Sequence, residues 1–363
     1  MVEIITKIKL VIVSLFEKIL LGRFSDPLSK VIESIIIIRP ELIKKKWLIH
    51  EPEIVHFNYP NNYHSFFRKY RIFPERYVFL LKDIIFIKRK GVALTTDYKI
   101  LRESYGSIRK LFLWDNIRPF LSSTHYEIND DYYYYYLPIT GFYHFLLEEV
   151  PALLNALASN PSLKILTDKK NKYPGYFKET LEFLFKDNLK NRIIDLDKNI
   201  KVKNALITQH FLMSGGVPKK DIELLNKHFS TIVVENSNNN FEKIYISRIN
   251  SNKRGIENEV EIEQYLQKVG FHIVYMEKFN LKEQIKTVAN ANFIIAPHGA
   301  GLSHIIWNPQ KRKKIIEIFP SYIRNDCYAS IGKTLGYNYD YIICNKIENK
   351  EVCDIQLLES KIL

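Results

Sequence analysis

Residues 293–307 read FIIAPHGAGLSHIIW, and this stretch decides the fold of the carboxyl-terminal half. It begins with an apolar run, which predicts a strand buried on both faces of a parallel sheet. Pro297 ends that strand, and Gly299 and Gly301 permit backbone angles and close approaches that a side chain would forbid. A helix predicted from Leu302 would point its free N–H groups at the same place. These are the parts of a nucleotide diphosphate site, although two glycines taken alone more often make an ordinary tight turn.

The chain around this stretch alternates strands and helices. Strands are predicted over residues 243–247, 271–275, 293–296, 314–319 and 339–344. Helices are predicted over residues 258–270, 280–290 and 325–335. Asn258 with Glu261, and Asn280 with Glu283, have the spacing of a capping box at a helix start. Alternating elements with short connections predict a parallel sheet covered by helices, whose ligands bind where the strands end.

Charged residues follow or interrupt these strands. Arg248 directly follows the first strand and Arg254 lies in the same loop, so their guanidinium groups can reach phosphate oxygens in one crevice. Two solvated surface arginines are the alternative in a chain with 53 lysines and arginines. Glu317 either faces solvent on an edge strand or accepts hydrogen bonds from ribose hydroxyls, and the second fits better because an uncompensated buried carboxylate is costly. His298 either contacts a pyrophosphate or is a satisfied loop residue.

A second informative segment is residues 141–151, which read GFYHFLLEEVP. Gly141 marks a turn, and a helix is predicted to start there. His144 and Glu148 are then one turn apart on the same face, where a carboxylate can hold the imidazole or raise its basicity. Tyr143 and the apolar residues beside it suit one wall of a cleft. The alternative is a core helix with two polar residues turned outward.

Taken together, these segments resemble glycosyltransferase family 61, which includes bacterial capsular-polysaccharide transferases. The resemblance covers roughly residues 75 to 343, and residues 75–104 look like the family's opening strands. The segments that carry it are GFYHFLLEEVPALL, YISRINSNKRGIENEVEIEQYL, KEQIKTVANANFIIAPHGAGLSHIIW and IIEIFP. The positions that match the family's recurrent residues are His144, Glu148, Arg248, Arg254, Asn258, Glu259, Gln284, His298, Gly299, Gly301 and Glu317. Ser303-His304 departs from the pattern, because relatives more often carry Thr or Ser followed by Asn.

The resemblance implies an α/β protein of GT-B architecture, in which two Rossmann-like domains face each other across a cleft. It implies inverting transfer of a hexosyl or pentosyl group from a nucleotide sugar, expected to be UDP-linked, to a glycan or lipid-linked glycan acceptor in cell-surface polysaccharide synthesis. His144 and Glu148 become the catalytic candidates, with His144 the first choice for the base and the reverse assignment open. The donor-binding candidates are Arg248, Arg254, His298, Gly299, Ala300, Gly301 and Glu317. The arginines can stabilise the leaving diphosphate, and neither a metal ion nor another cofactor is expected.

Length and charge bound the domain organisation. A chain of 363 residues with 46% hydrophobic content is expected to form two domains. These are an acceptor-side domain over residues 49–236 and a donor-binding domain over residues 237–363, divided within the polar run at 236–240. Residues 1–48 are predicted to form a basic amphipathic segment without an apolar run long enough to span a bilayer. The segment is expected to form a helix that lies on an anionic membrane surface, or a helix that packs on its own domain or on a second subunit.

The net charge of +13 also admits a different class of protein, a non-catalytic binder of polyanions such as nucleic acid. No nucleic-acid motif accompanies the dispersed basic residues, so no nucleic-acid partner is expected. The three cysteines lack a metal-ligand spacing, and their odd number favours a reducing compartment. The expected location is therefore cytoplasmic, peripheral on the inner face of the cell membrane.

Overall fold

The computed structural model describes residues 35–87, 92–97, 99–101, 125–128, 132–135, 141–168, 173–209, 215–234, 241–251 and 254–362. Residues 1–34 of the predicted amphipathic segment and the predicted domain boundary at 236–240 lie outside these ranges. The described residues form an α/β protein, as the sequence predicts. The GT-B arrangement and the two domains stay predictions.

Two six-stranded sheets occupy much of the amino-terminal half. Its strands are β1 (Ile35–Ile36), β2 (Ile43–His50), β3 (Glu53–His56), β4 (Tyr70–Phe73), β5 (Arg76–Leu81), β6 (Ile84–Ile87), β7 (Val92–Leu94), β8 (Ile100–Leu101), β9 (His125–Ile128), β10 (Tyr133–Tyr135), β11 (Lys164–Asp168), β12 (Ile193–Leu196), β13 (Asn199–Val202) and β14 (Ala205–Thr208). One sheet has the order β1-β8-β7-β6-β13-β9 and the other β12-β11-β10-β14-β5-β2, while β3 and β4 pair separately. The opening strands implied by the family resemblance are observed as β5, β6, β7 and β8.

In the second of these sheets, only part of the strand order is Rossmann-like. Strands β12, β11, β10 and β14 run parallel, whereas β5 and β2 join the edge in the antiparallel sense. Strand β6 continues the chain from β5 but pairs in the other sheet. The amino-terminal half is therefore more elaborate than a single Rossmann-like sheet.

The end of the predicted amphipathic segment is a strand and not a helix. Residues Ile43–His50 pair antiparallel with β5, which satisfies their backbone hydrogen bonds. Lys45 and Lys46 stay exposed on this edge strand, where their ammonium groups lie over the rings of Trp47 and Tyr77. The predicted boundary after residue 48 thus falls inside an element of the amino-terminal half.

The carboxyl-terminal half contains the parallel sheet that the sequence predicts. Its strands are β15 (Lys243–Ile246), β16 (His272–Val274), β17 (Phe293–Pro297), β18 (Lys314–Phe319) and β19 (Asn338–Ile343), and a hairpin of β20 (Asn345–Ile347) and β21 (Lys350–Val352) follows. The order is β16-β15-β17-β18-β19, and every neighbouring pair in it is parallel. Each predicted strand is confirmed to within a residue or so at its ends, because the buried apolar runs are flanked by clear turn signals.

Helices cover these sheets and connect their strands. They are α1 (Phe142–His144), α2 (Val150–Ser159), α3 (Gly175–Phe185), α4 (Leu189–Arg192), α5 (Lys219–Val234), α6 (Glu259–Lys268), α7 (Leu281–Asn290), α8 (Cys327–Thr334) and α9 (Ile355–Ile362). A π-helical turn spans Phe145–Glu149, and 3-10 helices span Pro40–Leu42, Lys186–Asn188, Met276–Lys278 and Ala300–Ile306. Across the described part of the chain, none of the helices has the length and apolarity that crossing a membrane requires.

One of the two predicted capping boxes forms. At the start of α7, the Asn280 side chain accepts from the Glu283 backbone N–H and the Glu283 carboxylate accepts from the Asn280 N–H. At the start of α6, the Asn258 side chain instead exchanges two hydrogen bonds with the backbone of Cys353. The capping box predicted for Asn258 and Glu261 is wrong, because the Asn258 side chain bonds to Cys353 and not to its own helix. Sequence spacing cannot reveal such a tertiary contact.

The main hydrophobic cluster runs through both halves of the chain. Leu153 of α2 and Phe67 of the segment before β4 share it with Ile285 of α7, Trp307 and Phe319. A buried ion pair between Arg71 and Asp326, at 2.6 Å, crosses between the same halves. The halves are therefore held in a fixed relation by packing, and side chains from both can line one site.

His304 anchors the turn after β17 to the amino-terminal half. Its Nδ1 accepts from the Trp307 indole N–H at 3.0 Å, so its Nε2 carries the proton and donates to Gln284 Oε1 at 3.0 Å. Its ring packs on Phe142 of α1 with the centroids 4.8 Å apart. Burial lowers the pKa of His304 to about 3. The departure from the family pattern at Ser303-His304 thus supplies a contact between the halves.

We expect the neutral state of His304 to make the protein acid-sensitive. The unfolded chain takes up a proton near about pH 6.5, whereas the folded chain resists until about pH 3. Stability is therefore fully present above the unfolded pKa and falls as the pH drops below it, by up to about 1.4 kcal/mol per pH unit. Denaturant unfolding of wild type and His304→Asn between about pH 7 and 5 measures this slope.

The wild-type slope should exceed that of His304→Asn, whatever the absolute stability of the variant. His228, an exposed residue of α5, provides a matched control, and His228→Asn should keep the wild-type slope. Equal slopes for wild type and His304→Asn would contradict the assignment.

Candidate active site

His144 and Glu148 form the predicted pair. Nδ1 of His144 lies 3.0 Å from Oε2 of Glu148, and the two side chains are 37% and 26% exposed. A carboxylate can only accept, so Nδ1 carries the proton in this contact and Nε2 is left as the basic nitrogen of the ring. The two polar side chains are therefore partly exposed and hydrogen-bonded to each other, and their catalytic role stays a prediction.

The backbone around this pair has two local features. Gly141 precedes α1 with a φ of 117°, a conformation that a side chain strains, and therefore marks the predicted turn. The helix then widens into the π-helical turn Phe145–Glu149, which carries Glu148. Such turns recur at functional sites because they re-aim side chains within a helix. Apolar periodicity does not predict this turn.

The predicted donor residue Glu317 lies inside the sheet. It is fully buried in β18, between β17 and β19, so the edge-strand alternative is wrong. Its Oε1 lies 2.5 Å from Nδ1 of His298, and its Oε2 accepts from the Tyr339 hydroxyl. Both carboxylate oxygens are therefore engaged within the protein in this geometry. Contact of Glu317 with a ribose stays a prediction. Glu317 acts here by orienting His298.

The two glycines of the turn are required by close packing. Gly299 has an extended backbone, and a Cβ there would lie 2.1 Å from Nη1 of Arg248. A Cβ on Gly301 would lie 2.9 Å from the Ile246 Cγ2 methyl and 3.7 Å from Met276. Gly299 therefore makes room for Arg248 and Gly301 makes room for Ile246 of β15, while contact of either glycine with a phosphate stays a prediction. Ala300, between them, begins the 3-10 helix Ala300–Ile306, where an α-helix from Leu302 was predicted.

Arg248 is held in place at the end of β15. Its backbone N–H donates to Glu259 at 2.6 Å, and its Nη2 donates to Ser251 at 2.9 Å. Burial and then the neighbouring charge of Arg254 lower the pKa of Arg248, although a guanidinium keeps its proton in proteins. Arg254 also lies within electrostatic range of Tyr328. The like charges of Arg248 and Arg254 repel each other unless an anion binds between them. Two neighbouring guanidinium groups are therefore typical of an anion site.

A line of aromatic rings joins the two predicted groups of residues. The centroid distances are 5.3 Å from His144 to Tyr143, 5.6 Å from Tyr143 to Tyr328, and 5.4 Å from Tyr328 to His298. Burial raises the pKa of both tyrosines, so their hydroxyls stay protonated. The structure thus brings His144 and Glu148 of one half beside His298 and the arginine loop of the other.

Three contributors to this region were not predicted as site residues. Tyr143 was expected only as part of a wall, and its position next to His144 was the available signal. Tyr328 lies on the predicted helix after β18, where nothing in the sequence indicates that its ring contacts His298. Glu259, which accepts from the backbone of Arg248 and the Tyr245 hydroxyl, matches the family pattern but was not assigned a role.

Within the described ranges, no group of three or more His, Cys, Asp or Glu side chains has the arrangement of a metal site. Metal independence stays a prediction. Arg248 and Arg254 are the cations of the predicted donor loop.

Comparison with known proteins finds similarity to a glycosyltransferase family. A search of curated proteins finds no match. Residues 142–316 match the family model of Glycosyltransferase 61, which is just under half of the chain. The match begins at the first residue of α1, before His144, and ends in β18 directly before Glu317. It therefore includes the predicted base pair, the arginine loop and the glycine turn, and over residues 142–316 this chain is similar to glycosyltransferase family 61.

Proposed function

We propose that this protein is an inverting glycosyltransferase that moves a hexosyl or pentosyl group from a nucleotide sugar, most simply UDP-linked, to a glycan or lipid-linked glycan. One observation carries the proposal. A hydrogen-bonded His–Glu pair on one half and an arginine loop with a glycine turn on the other are connected by the ring contacts of Tyr143 and Tyr328. An acceptor base and a donor site on opposite sides of one region are what a single displacement needs.

In this proposal His144 is the base. Its Nδ1 proton is held by Glu148 at 3.0 Å, so Nε2 can take the proton of the acceptor hydroxyl as that oxygen attacks the anomeric carbon. The new glycosidic bond forms while the bond to the diphosphate oxygen breaks, and the configuration inverts. Glu148 stabilises the imidazolium that results. The reverse assignment, with Glu148 as base, uses the same pair.

The leaving diphosphate gains negative charge in this step. Arg248 and Arg254 are fixed cations whose guanidinium groups suit phosphate oxygens. Arg248 is positioned beforehand by Glu259 and by its packing on Gly299, so little reorganisation is needed when the charge develops. This charge pair supports transfer without a metal ion. His298, held by Glu317, is the further donor contact.

The biological setting is also part of the proposal. The proposed pathway is synthesis of a cell-surface polysaccharide of the bacterial capsular type. Its acceptor would be made in the cytoplasm, at the inner face of the membrane. The exposed lysines of β2 give the amino-terminal half a basic edge that suits an anionic membrane surface. No nucleic-acid partner is proposed, since the family match favours a transferase over a binder of polyanions.

The donor nucleotide can be identified directly. We expect UDP to raise the melting temperature more than GDP, CMP or dTDP, because the proposed donor is UDP-linked. A ligand that binds only the folded state adds about 2.7 kcal/mol to the free energy of unfolding at a hundred times its dissociation constant. A thermal-shift panel of the four nucleotides measures the difference. A response that is equal for all four, and that disappears with added salt, would instead indicate nonspecific anion binding.

The base assignment predicts a separation between catalysis and donor binding. His144→Ala should lower kcat by roughly a hundredfold or more, and Glu148→Gln by less if Glu148 orients the ring. UDP affinity should not change, since the arginine loop belongs to the other half. Transfer rates to an acceptor panel and calorimetric titration with UDP measure the two quantities. His228→Ala, at an exposed histidine, is the control, and near-normal kcat in both site variants would mean that the base lies elsewhere.

Substitution of Gly299 and substitution of Gly301 are expected to have different effects. Gly299→Ala should weaken UDP binding by roughly tenfold while the protein stays folded, because the three atoms nearest its methyl group belong to the Arg248 side chain, which must move away. Gly301→Ala should instead lower stability by about 1–3 kcal/mol, because its methyl group meets Ile246 in the sheet. Titration with UDP and denaturant unfolding of both variants test this. Unchanged UDP affinity in Gly299→Ala would remove Arg248 from the donor site.

A further inference from the structure

The hairpin at the end of the parallel sheet lies against the arginine loop. Strands β20 and β21 follow β19, and Cys344 and Cys353 directly flank the hairpin. Both cysteines share a buried apolar cluster with Ile256, which lies two residues after Arg254. The base of the hairpin and the arginine loop are therefore packed together. The hairpin follows residue 316, where the match to the glycosyltransferase 61 model ends.

Hydrogen bonds also tie the arginine loop to the hairpin. The Asn258 side chain donates to the Cys353 carbonyl at 2.9 Å and accepts from the Cys353 N–H at 3.0 Å. The Glu257 N–H donates to the Glu351 carbonyl at 2.8 Å. Three hydrogen bonds from two consecutive residues of the loop fix the path of the chain into α6.

Glu351 extends this connection to the loop that follows β18. The residue is 9% exposed, and its Oε2 accepts from the Ser321 N–H at 2.6 Å while its Oε1 accepts from the Ser321 hydroxyl at 2.8 Å. Through its backbone and its side chain, one residue therefore binds the loops after β15 and β18. These loops lie at the carboxyl ends of parallel strands, where the ligands of such sheets bind.

The backbone of Arg254 needs support from its surroundings. Its φ of 60° lies in the left-handed region, which a residue with a side chain rarely adopts. Such a conformation persists only where neighbouring contacts hold it. Beyond Asn258, Glu259 accepts from the Arg248 N–H at 2.6 Å. The segment that the hairpin fixes therefore leads to both arginines, to Arg254 along the chain and to Arg248 through Glu259.

We propose that the hairpin β20–β21 positions the arginine loop for the donor diphosphate, and that Asn258 and Glu351 are the positioning residues. The inference rests on the proposed function, in which the arginines bind that diphosphate. Asn258 and Glu351 act through the loop and do not contact the donor. They keep Arg248 and Arg254 in one arrangement before the donor binds, so that less ordering is needed on binding.

Two variants remove these contacts and keep both arginines. Asn258→Ala deletes the two hydrogen bonds to Cys353 without removing a helix cap, because the Asn258 side chain does not cap α6. Glu351→Gln keeps the shape of the side chain but places an NH₂ group against one of the two Ser321 donors. Each variant should weaken binding of UDP and of inorganic diphosphate by roughly tenfold, the value of about one hydrogen bond. Calorimetric titration well below the melting temperature measures both affinities in folded protein.

Two control variants separate positioning from stability. Glu348→Gln makes the same chemical change at the exposed turn of the hairpin, and it should keep the wild-type UDP affinity. Tyr337→Phe removes the hydrogen bond that the buried Tyr337 hydroxyl donates to the Ile305 carbonyl at 3.1 Å, outside the hairpin. This variant should melt at a lower temperature and keep the wild-type UDP affinity.

Hydrogen exchange tests the same contacts without a nucleotide. The backbone amides of residues 254–257 should exchange faster in Asn258→Ala than in wild type, because the loop opens more often once its bonds to Cys353 are lost. The amides of α7 should exchange at the wild-type rate and serve as the internal reference.

The outcomes distinguish this inference from the proposed function. Wild type that binds neither UDP nor inorganic diphosphate would overturn both. Wild type that binds UDP, with the same affinity in Asn258→Ala and Glu351→Gln, would overturn the positioning role alone, even if the loop exchanges faster. An unchanged exchange rate in Asn258→Ala would overturn it as well. So would an equal loss of UDP affinity in Tyr337→Phe, because the loss would then follow from lower stability.

Discussion

A carboxylate buried within the parallel sheet is the constraint on which the site depends. Glu317 has no access to solvent, so its charge must be compensated by hydrogen bonds inside the protein. It binds His298 on one side and Tyr339 on the other, which joins the turn after β17 to β19 through β18. Once His298 is held in this way, the path of the chain into Gly299 is fixed, and with it the position over which Arg248 packs. Removing Glu317 would release His298, which stacks on Phe319 and contacts Tyr328.

The second requirement is the contact between the halves. Phe142, two residues before His144, packs on His304 of the donor turn, and Arg71 pairs with Asp326 at the start of α8. A buried ion pair is not a strong source of stability, but losing one partner is costly, so it favours a single arrangement of the elements that it joins. These contacts set the distance between the proposed base and the proposed donor loop. In a single displacement that distance decides whether an acceptor oxygen reaches the anomeric carbon.

The site extends beyond the part of the chain that matches the family. The match to the glycosyltransferase 61 model covers residues 142–316 and includes His144, Arg248 and the glycine turn. Glu317, Tyr328 and Arg71 lie outside it, yet Glu317 binds His298, Tyr328 continues the aromatic line and Arg71 pairs with Asp326 across the halves. The family match therefore accounts for the groups proposed to carry the chemistry.

The sequence by itself determined the parallel sheet of the carboxyl-terminal half, because buried apolar runs and turn residues are local signals. It also determined the His144–Glu148 pair, since helical spacing brings those side chains together whatever the surrounding fold. Only the tertiary structure decided that Glu317 is an interior residue bound to His298, that Gly299 makes room for Arg248, and that Asn258 bonds to Cys353 instead of capping α6. Each of these depends on which residues meet across the fold, and pairings of residues far apart in the chain leave no periodic pattern in a single sequence.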